Sequence, residues 1–301
     1  MNLQSFFVTK TGTSLGMWLG RNMPRRVGYS IVELLAAYIV RRKDSSMARN
    51  IRLNQSVVRG LPMDAPELDD IVRTVLLNAG RGYYELYHRL GKGLASVREA
   101  ITFSPDIFAY AEEIRNDERG ALFVGPHIGN LDLGLLSFAA HGMDIQAITY
   151  ALPPGGYEIQ NRLRASAGWI ITPADAKAVK MALRRLRAGG IVITGVDRPL
   201  AEHELAKPVH FFGLPSPVPT GYMRLAHATK ASVHMVEMEN TGNGRYEVNV
   251  TPPLDLIETK DRREFTFQNT ELVLNEVAKV IRARPDEWMM FHPVWPQLLE
   301  S

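Results

Sequence analysis

Four apolar residues run into a glycine at 121–125 (ALFVG), a polar turn holding His127 and Asn130 follows, and an apolar stretch starts near Asp132 and runs to 140. The pattern predicts a buried strand, a tight turn and an apolar helix. The rhythm then repeats. Strands are predicted at 145–150, 169–171 and 191–195, with a Pro-Pro-Gly-Gly loop at 153–156 and a short helix at 157–167. A further helix, capped by Thr172-Pro173, runs through 188 and is stopped by Gly189-Gly190. Alternation of this kind predicts an α/β fold with a mainly parallel sheet flanked by helices. Two strand-like stretches at 232–239 and 245–250 bracket a glycine-bearing loop and predict a hairpin. A long helix at 267–283 and an aromatic tail, EWMMFHPVWP, close the chain.

Before residue 104 the pattern is helical. Residues 69–79 end at Gly80, residues 82–90 carry Tyr83, Leu86, Tyr87 and Leu90 at helical spacing, and Ser104-Pro105 opens another helix. The most apolar part, YSIVELLAAYIV at 29–40, covers only about 18 Å as a helix, short of a hydrocarbon core of roughly 30 Å. No transmembrane helix is expected; the segment is read either as an interfacial helix or as a core helix. The first twenty residues lack a secretory pattern. Without repeats or low-complexity linkers, the chain reads as a single domain, 1–301, with a helical, basic portion at 1–103 and an α/β portion at 104–301.

Composition sharpens this picture in two respects. The 301 residues include no cysteine, which removes disulfides, thiolate metal sites and a thiol nucleophile. Residues 1–60 carry ten Lys/Arg against Glu33 and Asp44, a net +8, so that in a chain of net charge +3 the remainder carries −5. A basic segment on a mildly acidic body predicts an anionic partner, here a membrane surface. Nucleic acid is not expected, because the basic residues interleave with aliphatic side chains rather than stacking aromatics.

His127 and Asp132 are the groups of the central turn able to move or hold a proton. A base on a hydroxyl, oriented by a carboxylate on its other ring nitrogen, is equipment for attacking an activated acyl group. A histidine that merely caps the turn would have the same spacing. His234 and Glu239 share that spacing too, but an odd separation along one strand sends them to opposite faces.

PHIGNLDLG (126–134) resembles the H-x4-D/E block of the lysophospholipid acyltransferase superfamily, in particular the bacterial branch that acylates lipid A and phosphatidylinositol mannosides. Further blocks follow in the family's order: EIQNRLRASAG (158–168), LRAGGIVITGVDRP (186–199), FFGLPSPVPTGYMRLAHATKASVHMVEME (211–239), GRYEVNVTPPL and RPDEWMMFHPVWP. The resemblance covers about residues 20–296. It implies an O-acyltransferase moving a fatty acyl chain from acyl-CoA or acyl carrier protein to a hydroxyl of a lipid or glycolipid acceptor. It places the general base on His127 and its orienting carboxylate on Asp132, a substrate-phosphate arginine on Arg164, and further substrate contacts on Asn130, Asp197 and Arg198. Where lipid A members usually carry Asp-Gln-Asp, this chain has Asp197-Arg198, closer to the mannoside-acylating branch. The implied mechanism needs no metal, cofactor or acyl-enzyme, with backbone N–H groups of the 125–130 turn stabilising the oxyanion. The expected location is peripheral, on the cytoplasmic face of the cell membrane.

Two other readings are open at this level. Gly12-Thr13-Ser14-Leu15-Gly16 matches the G-x-S-x-G nucleophile elbow of serine esterases, although that elbow belongs on a central strand and only eleven residues precede this one. The alternative to an enzyme is a non-catalytic lipid-binding protein on the same fold.

Overall fold

A computed structural model describes residues 9–42, 45–105, 119–149, 168–200 and 208–299, with positions 107, 110, 112, 114 and 165. The N-terminal portion is a set of packed helices: α1 (Lys10–Asn22), α2 (Arg25–Arg41), α3 (Ser46–Arg59), α4 (Glu67–Gly91) and the short α5 (Leu94–Ala100). Thr9 caps α1 by accepting the Gly12 N–H, and Ser45 caps α3 by accepting that of Ala48. Helices α1, α2 and α3 all pack on α4. The stretches expected to be two helices separated at Gly80 are one helix of 25 residues. Gly80 sits inside it because a Cβ there would lie 2.5 Å from a methyl of Val32 on α2, so the residue serves close helix approach rather than termination. The Gly12–Gly16 run lies inside the helix α1, with Ser14 exposed, and not at the strand-to-helix turn that a nucleophile elbow requires.

One ion cluster ties α2 to this scaffold. Glu85 of α4 is fully buried and accepts from Arg25 Nε (2.6 Å), Arg25 Nη2 (2.9 Å) and Tyr29 Oη (2.9 Å). The acidic neighbour and burial together push the Tyr29 hydroxyl pKa well up, burial being the larger cause.

The remaining elements alternate as the pattern predicts. They are β1 (Ile101–Phe103), β2 (Ala121–Gly125), α6 (Leu131–Ala140), β3 (Ile145–Thr149), β4 (Ile170–Pro173), α7 (Ala176–Arg187) and β5 (Ile191–Gly195). After them come β6 (Val209–Phe211), β7 (Leu214–Ser216), α8 (Gly221–Thr229), β8 (Ser232–Gly242), β9 (Arg245–Val250) and α9 (Arg262–Ala283). Among the described residues the main sheet has seven strands in the order β1-β9-β8-β2-β5-β3-β4. The run from β8 to β4 is parallel; β9 turns back on β8 as the expected hairpin, and β1 lies parallel to β9. Residues 101–103, expected to be helical, therefore supply an edge strand. The cap of α7 is Asp175, not Thr172, since β4 continues through Pro173 and the Asp175 carboxylate accepts the Ala178 N–H at 2.7 Å. Asp261 caps α9 in the same way, which starts that helix five residues before the expected position. The expected loop at 153–156 and short helix at 157–167 lie outside the described residues, apart from position 165.

Every residue of β2 is buried because helices cover both faces of the sheet. Leu122 and Val124 join a core with residues of α7, α8 and α9, whereas Ala121 and Phe123 join a second core with α5 and α6. The C-terminal tail is held by α3: the Asn54 side chain, 1% exposed, donates to the carbonyl oxygens of Met290 (3.0 Å) and His292 (2.8 Å) and accepts the Val294 N–H (3.0 Å). This clamp holds the tail that carries Trp288 and Trp295, both buried, and the Trp295 indole N–H donates to Phe211 O of β6 at 3.1 Å.

Candidate active site

Strands β2 and β5 are parallel neighbours with Gly125 opposite Gly195. Each chain then advances two residues, so His127 and Asp197 come side by side where the crevice of an open α/β sheet forms. Asp197 Oδ1 lies 2.6 Å from His127 Nδ1, and Asp197 Oδ2 accepts the His127 backbone N–H at 2.8 Å. The indole N–H of Trp288 donates to the same Oδ2 at 2.7 Å. The carboxylate is fully buried while the His127 side chain is 30% exposed. No side chain would fit at Gly195, where a Cβ would stand 2.6 Å from His127 Cε1.

Burial by itself would raise the Asp197 pKa. The charge of His127, together with hydrogen bonds from its ring, from Trp288 and from the His127 peptide, outweighs burial and holds the carboxyl below the usual carboxylate range. Asp197 is therefore an anion braced from behind against one nitrogen of an imidazole. The other nitrogen, Nε2, makes no hydrogen bond among the described residues and is placed to take a proton.

This arrangement alters several expectations. Asp132 lies in the first turn of α6, five residues from His127, but the carboxylate on Nδ1 is Asp197. Asp197 itself, expected among the substrate contacts, is buried behind the ring with both oxygens occupied by the protein. Asn130 is 3% exposed and caps α6: its Oδ1 accepts the Leu133 N–H and its Nδ2 donates to Gly82 O of α4 at 2.8 Å. Its amide joins the turn to the N-terminal helices, with its Oδ1 and Nδ2 both engaged by the protein. Arg164 lies outside the described residues. Arg198 follows Asp197 at the rim, half-buried, and its charge acts on His292 as does that of His127.

The turn's backbone donors are also engaged. Pro126 has no N–H; His127 N–H goes to Asp197, Ile128 N–H to Pro126 O (2.9 Å) and Gly129 N–H to Glu287 O (3.1 Å). The reason is the tail, which bridges Ile128 with Trp288 in antiparallel fashion and returns a bond from Met289 N–H to His127 O at 2.8 Å. Sequence reasoning missed Trp288 and the pairing of Asp197. A signal was present in FVGPH and VITGVD, two strands that each end in Gly, one apolar residue and a chemically active side chain.

Among the described residues no three His, Asp or Glu side chains are grouped as a metal ion would require. What the geometry can do is accept a proton from a hydroxyl and stabilise the resulting imidazolium, the task of the histidine and its carboxylate in acyl transfer.

No curated protein matches the chain. The family model described as "Bacterial lipid A biosynthesis acyltransferase" matches residues 6–297, nearly the whole length and including both members of the His127–Asp197 pair. The chain thus belongs to the bacterial lipid A biosynthesis acyltransferase family.

Proposed function

We propose that this protein transfers a fatty acyl group from a thioester, acyl-CoA or acyl carrier protein, to a hydroxyl of a glycophospholipid at the membrane surface. The observation that carries the proposal is the 2.6 Å contact of Asp197 with His127 Nδ1, which leaves Nε2 toward the open side. His127 takes the proton of the acceptor hydroxyl, whose oxygen attacks the thioester carbon. Asp197 keeps the imidazole in the tautomer that accepts at Nε2 and steadies the imidazolium. The tetrahedral intermediate collapses with loss of the thiolate, which recovers the proton from His127. Asp132, on the adjoining helix, is a supporting charge in this reading. Arg198 at the rim, with Arg164, binds phosphate of donor or acceptor, for which a guanidinium fork is suited. The Arg at 198 favours a mannoside-type acceptor over a lipid A precursor.

Peripheral membrane attachment is supported by the first two helices. Leu15 and Trp18 of α1, and Val27, Leu34 and Tyr38 of α2, are exposed. The α2 residues recur at seven and four positions, one stripe of a helix. Lys10, Arg21, Arg26, Arg41 and Arg42 are exposed on the same two helices or beside them. Apolar side chains ringed by cations suit an anionic interface, at about 1 kcal/mol per basic residue near the surface. No helix among the described residues is long and apolar enough to cross a membrane.

The test is transfer of radiolabelled palmitate from palmitoyl-CoA to lysophospholipids, a phosphatidylinositol mannoside and a lipid A precursor. Transfer to one acceptor by wild type and its loss in His127→Ala, with vesicle binding retained, is the expected result. Vesicle binding without transfer from either palmitoyl-CoA or palmitoyl carrier protein would leave the non-catalytic lipid-binding reading in its place.

A further inference from the structure

Helices α8 and α9 pack on each other, with the rings of His227 and Phe265 4.7 Å apart between them. Beside that contact, Arg224 of α8 and Arg262 and Arg263 of α9 line one open cleft of about 170 Å³, completed by the buried Thr266 and the half-buried Phe267. The three arginines are exposed, and among the described residues none of their guanidinium groups is hydrogen-bonded or ion-paired. In contrast, Arg25, Arg52, Arg59, Arg81, Arg185 and Arg284 each pair with a carboxylate of the fold.

The acidic residues at the start of α9 are engaged elsewhere. Asp261 Oδ1 caps the helix, accepting the Arg263 N–H at 2.7 Å and the Glu264 N–H at 2.9 Å, and Glu264 Oε1 accepts from Gln268 Nε2 at 3.0 Å. Arg262 and Arg263 also stand in the first turn of α9, where a cation opposes the helix dipole. Three cations thus converge where neither ion pairing nor helix electrostatics favours them. Side chains that break local rules without an internal compensation mark functional positions.

We propose that this cleft binds a phosphomonoester group, as a second site apart from the catalytic crevice. Such a group carries a charge of about −1.5 to −2 near neutral pH and three acceptor oxygens, which guanidinium forks bind in pairs. With Lys260, Asp261 and Glu264 counted beside the three arginines, the local charge is +2, which a dianion neutralises and a phosphodiester or carboxylate does not. The cleft is several times the volume of a water molecule, about 30 Å³, and admits a phosphate group. Its place in the fold separates it from His127. Helix α9 has 22 residues and spans roughly 33 Å, and its other end adjoins the site. There Arg284 donates to Met238 O at 3.0 Å, and Glu287 O accepts the Gly129 N–H of the His127 turn at 3.1 Å. The inference therefore does not depend on the acyltransferase reading.

The phosphate has two possible sources, a soluble ester or a lipid headgroup, and the experiment has an arm for each. Wild type and Arg224→Gln/Arg262→Gln/Arg263→Gln are titrated with glycerol 3-phosphate by calorimetry, and sedimented with phosphatidylcholine vesicles carrying phosphatidic acid. Lys180→Gln/Arg184→Gln/Arg187→Gln, which removes three exposed cations of α7, is the control for net charge. Glycerol 3-phosphate is expected to bind wild type with a Kd below about 1 mM and the cleft variant at least about tenfold more weakly, the worth of one bond to a charged group. The α7 variant keeps the wild-type affinity within about twofold, and thermal unfolding is the same for all. Arginine-dependent binding in the vesicle arm alone supports the site and makes its ligand a headgroup. Equal binding by wild type and the cleft variant in both arms overturns the inference, as does an equal loss in the α7 variant. Should the triple cleft variant not fold, Arg224→Gln alone decides: affinity at least threefold weaker supports the site and unchanged affinity overturns it.

Discussion

The indole N–H of Trp288 donates to Asp197 Oδ2 across 91 residues of sequence, at 2.7 Å and out of contact with solvent. The catalytic candidate is thus a chain of three: an aromatic donor from the tail, a buried carboxylate from β5 and an imidazole from the β2 turn. Removing the donor in Trp288→Phe leaves the buried carboxylate with one fewer partner, costing about 1.5–3 kcal/mol for a bond to a charged group. Chemical denaturation should show that loss, and the Asp197 pKa should move upward, because a contribution that lowers it has gone.

The same carboxylate sets a pH dependence with a defined sign. Its folded-state pKa lies below the unfolded value of about 3.9, so the hydrogen-bonded carboxylate contributes stability above that pH. The contribution fades as pH falls through the folded value. Unfolding free energy measured between pH 7 and pH 2 should therefore drop at the acid end. In Asp197→Asn that component of the drop should be absent, and the variant should start less stable at pH 7.

Gly195 provides a test of geometry without altering a chemical group. A Cβ at this position would meet His127 Cε1 at 2.6 Å, so Gly195→Ala must push the ring away from its place. Since a displacement of about 1 Å can cost 10²-fold, palmitoyl transfer should fall by about that factor while far-UV circular dichroism is unchanged. Full activity in this variant would show that the ring position carries no catalytic weight.

Membrane docking is tested on Trp18 and Leu34, 55% and 72% exposed. The double variant Trp18→Ser/Leu34→Ser removes apolar area without touching the site. Its partition onto vesicles with anionic lipid should weaken at least tenfold, since burying one such side chain contributes about 1.5–3 kcal/mol. Partition equal to wild type would contradict the assignment of α1 and α2 as the attachment face.

Much of this architecture was legible in the chain. The strand, turn and helix around His127 followed from a buried apolar run meeting glycine and then a polar turn, signals that are local. The β8–β9 hairpin and the parallel alternation were equally local. Strand order was not: that β5 inserts beside β2 depends on how helices cover the sheet, and it is this adjacency that brings Asp197, and not Asp132, to Nδ1. Gly80 misled because a glycine that ends a helix and one that admits a neighbouring helix look alike in sequence. The capping role of Asn130 is equally hidden, because a helix cap and a substrate donor use the same amide. Trp288 can be marked as aromatic, but its partner Asp197 lies just beyond a strand, β5, that the sequence does not identify as a neighbour.

The central claim is that the His127–Asp197 pair, and not merely the H-x4-D spacing, constitutes the base of acyl transfer. Its most direct measurement is kcat for palmitoyl transfer in wild type, His127→Ala, Asp197→Asn and Asp132→Asn, with folding checked for each. Asp197→Asn presents an amide to Nδ1 and favours the wrong tautomer, so it should lose about 10³- to 10⁴-fold, close to the loss in His127→Ala. Asp132→Asn, which leaves that contact in place, should lose at least tenfold less. If Asp197→Asn retained wild-type turnover while Asp132→Asn abolished it, the pair would not be the base and the account would be contradicted.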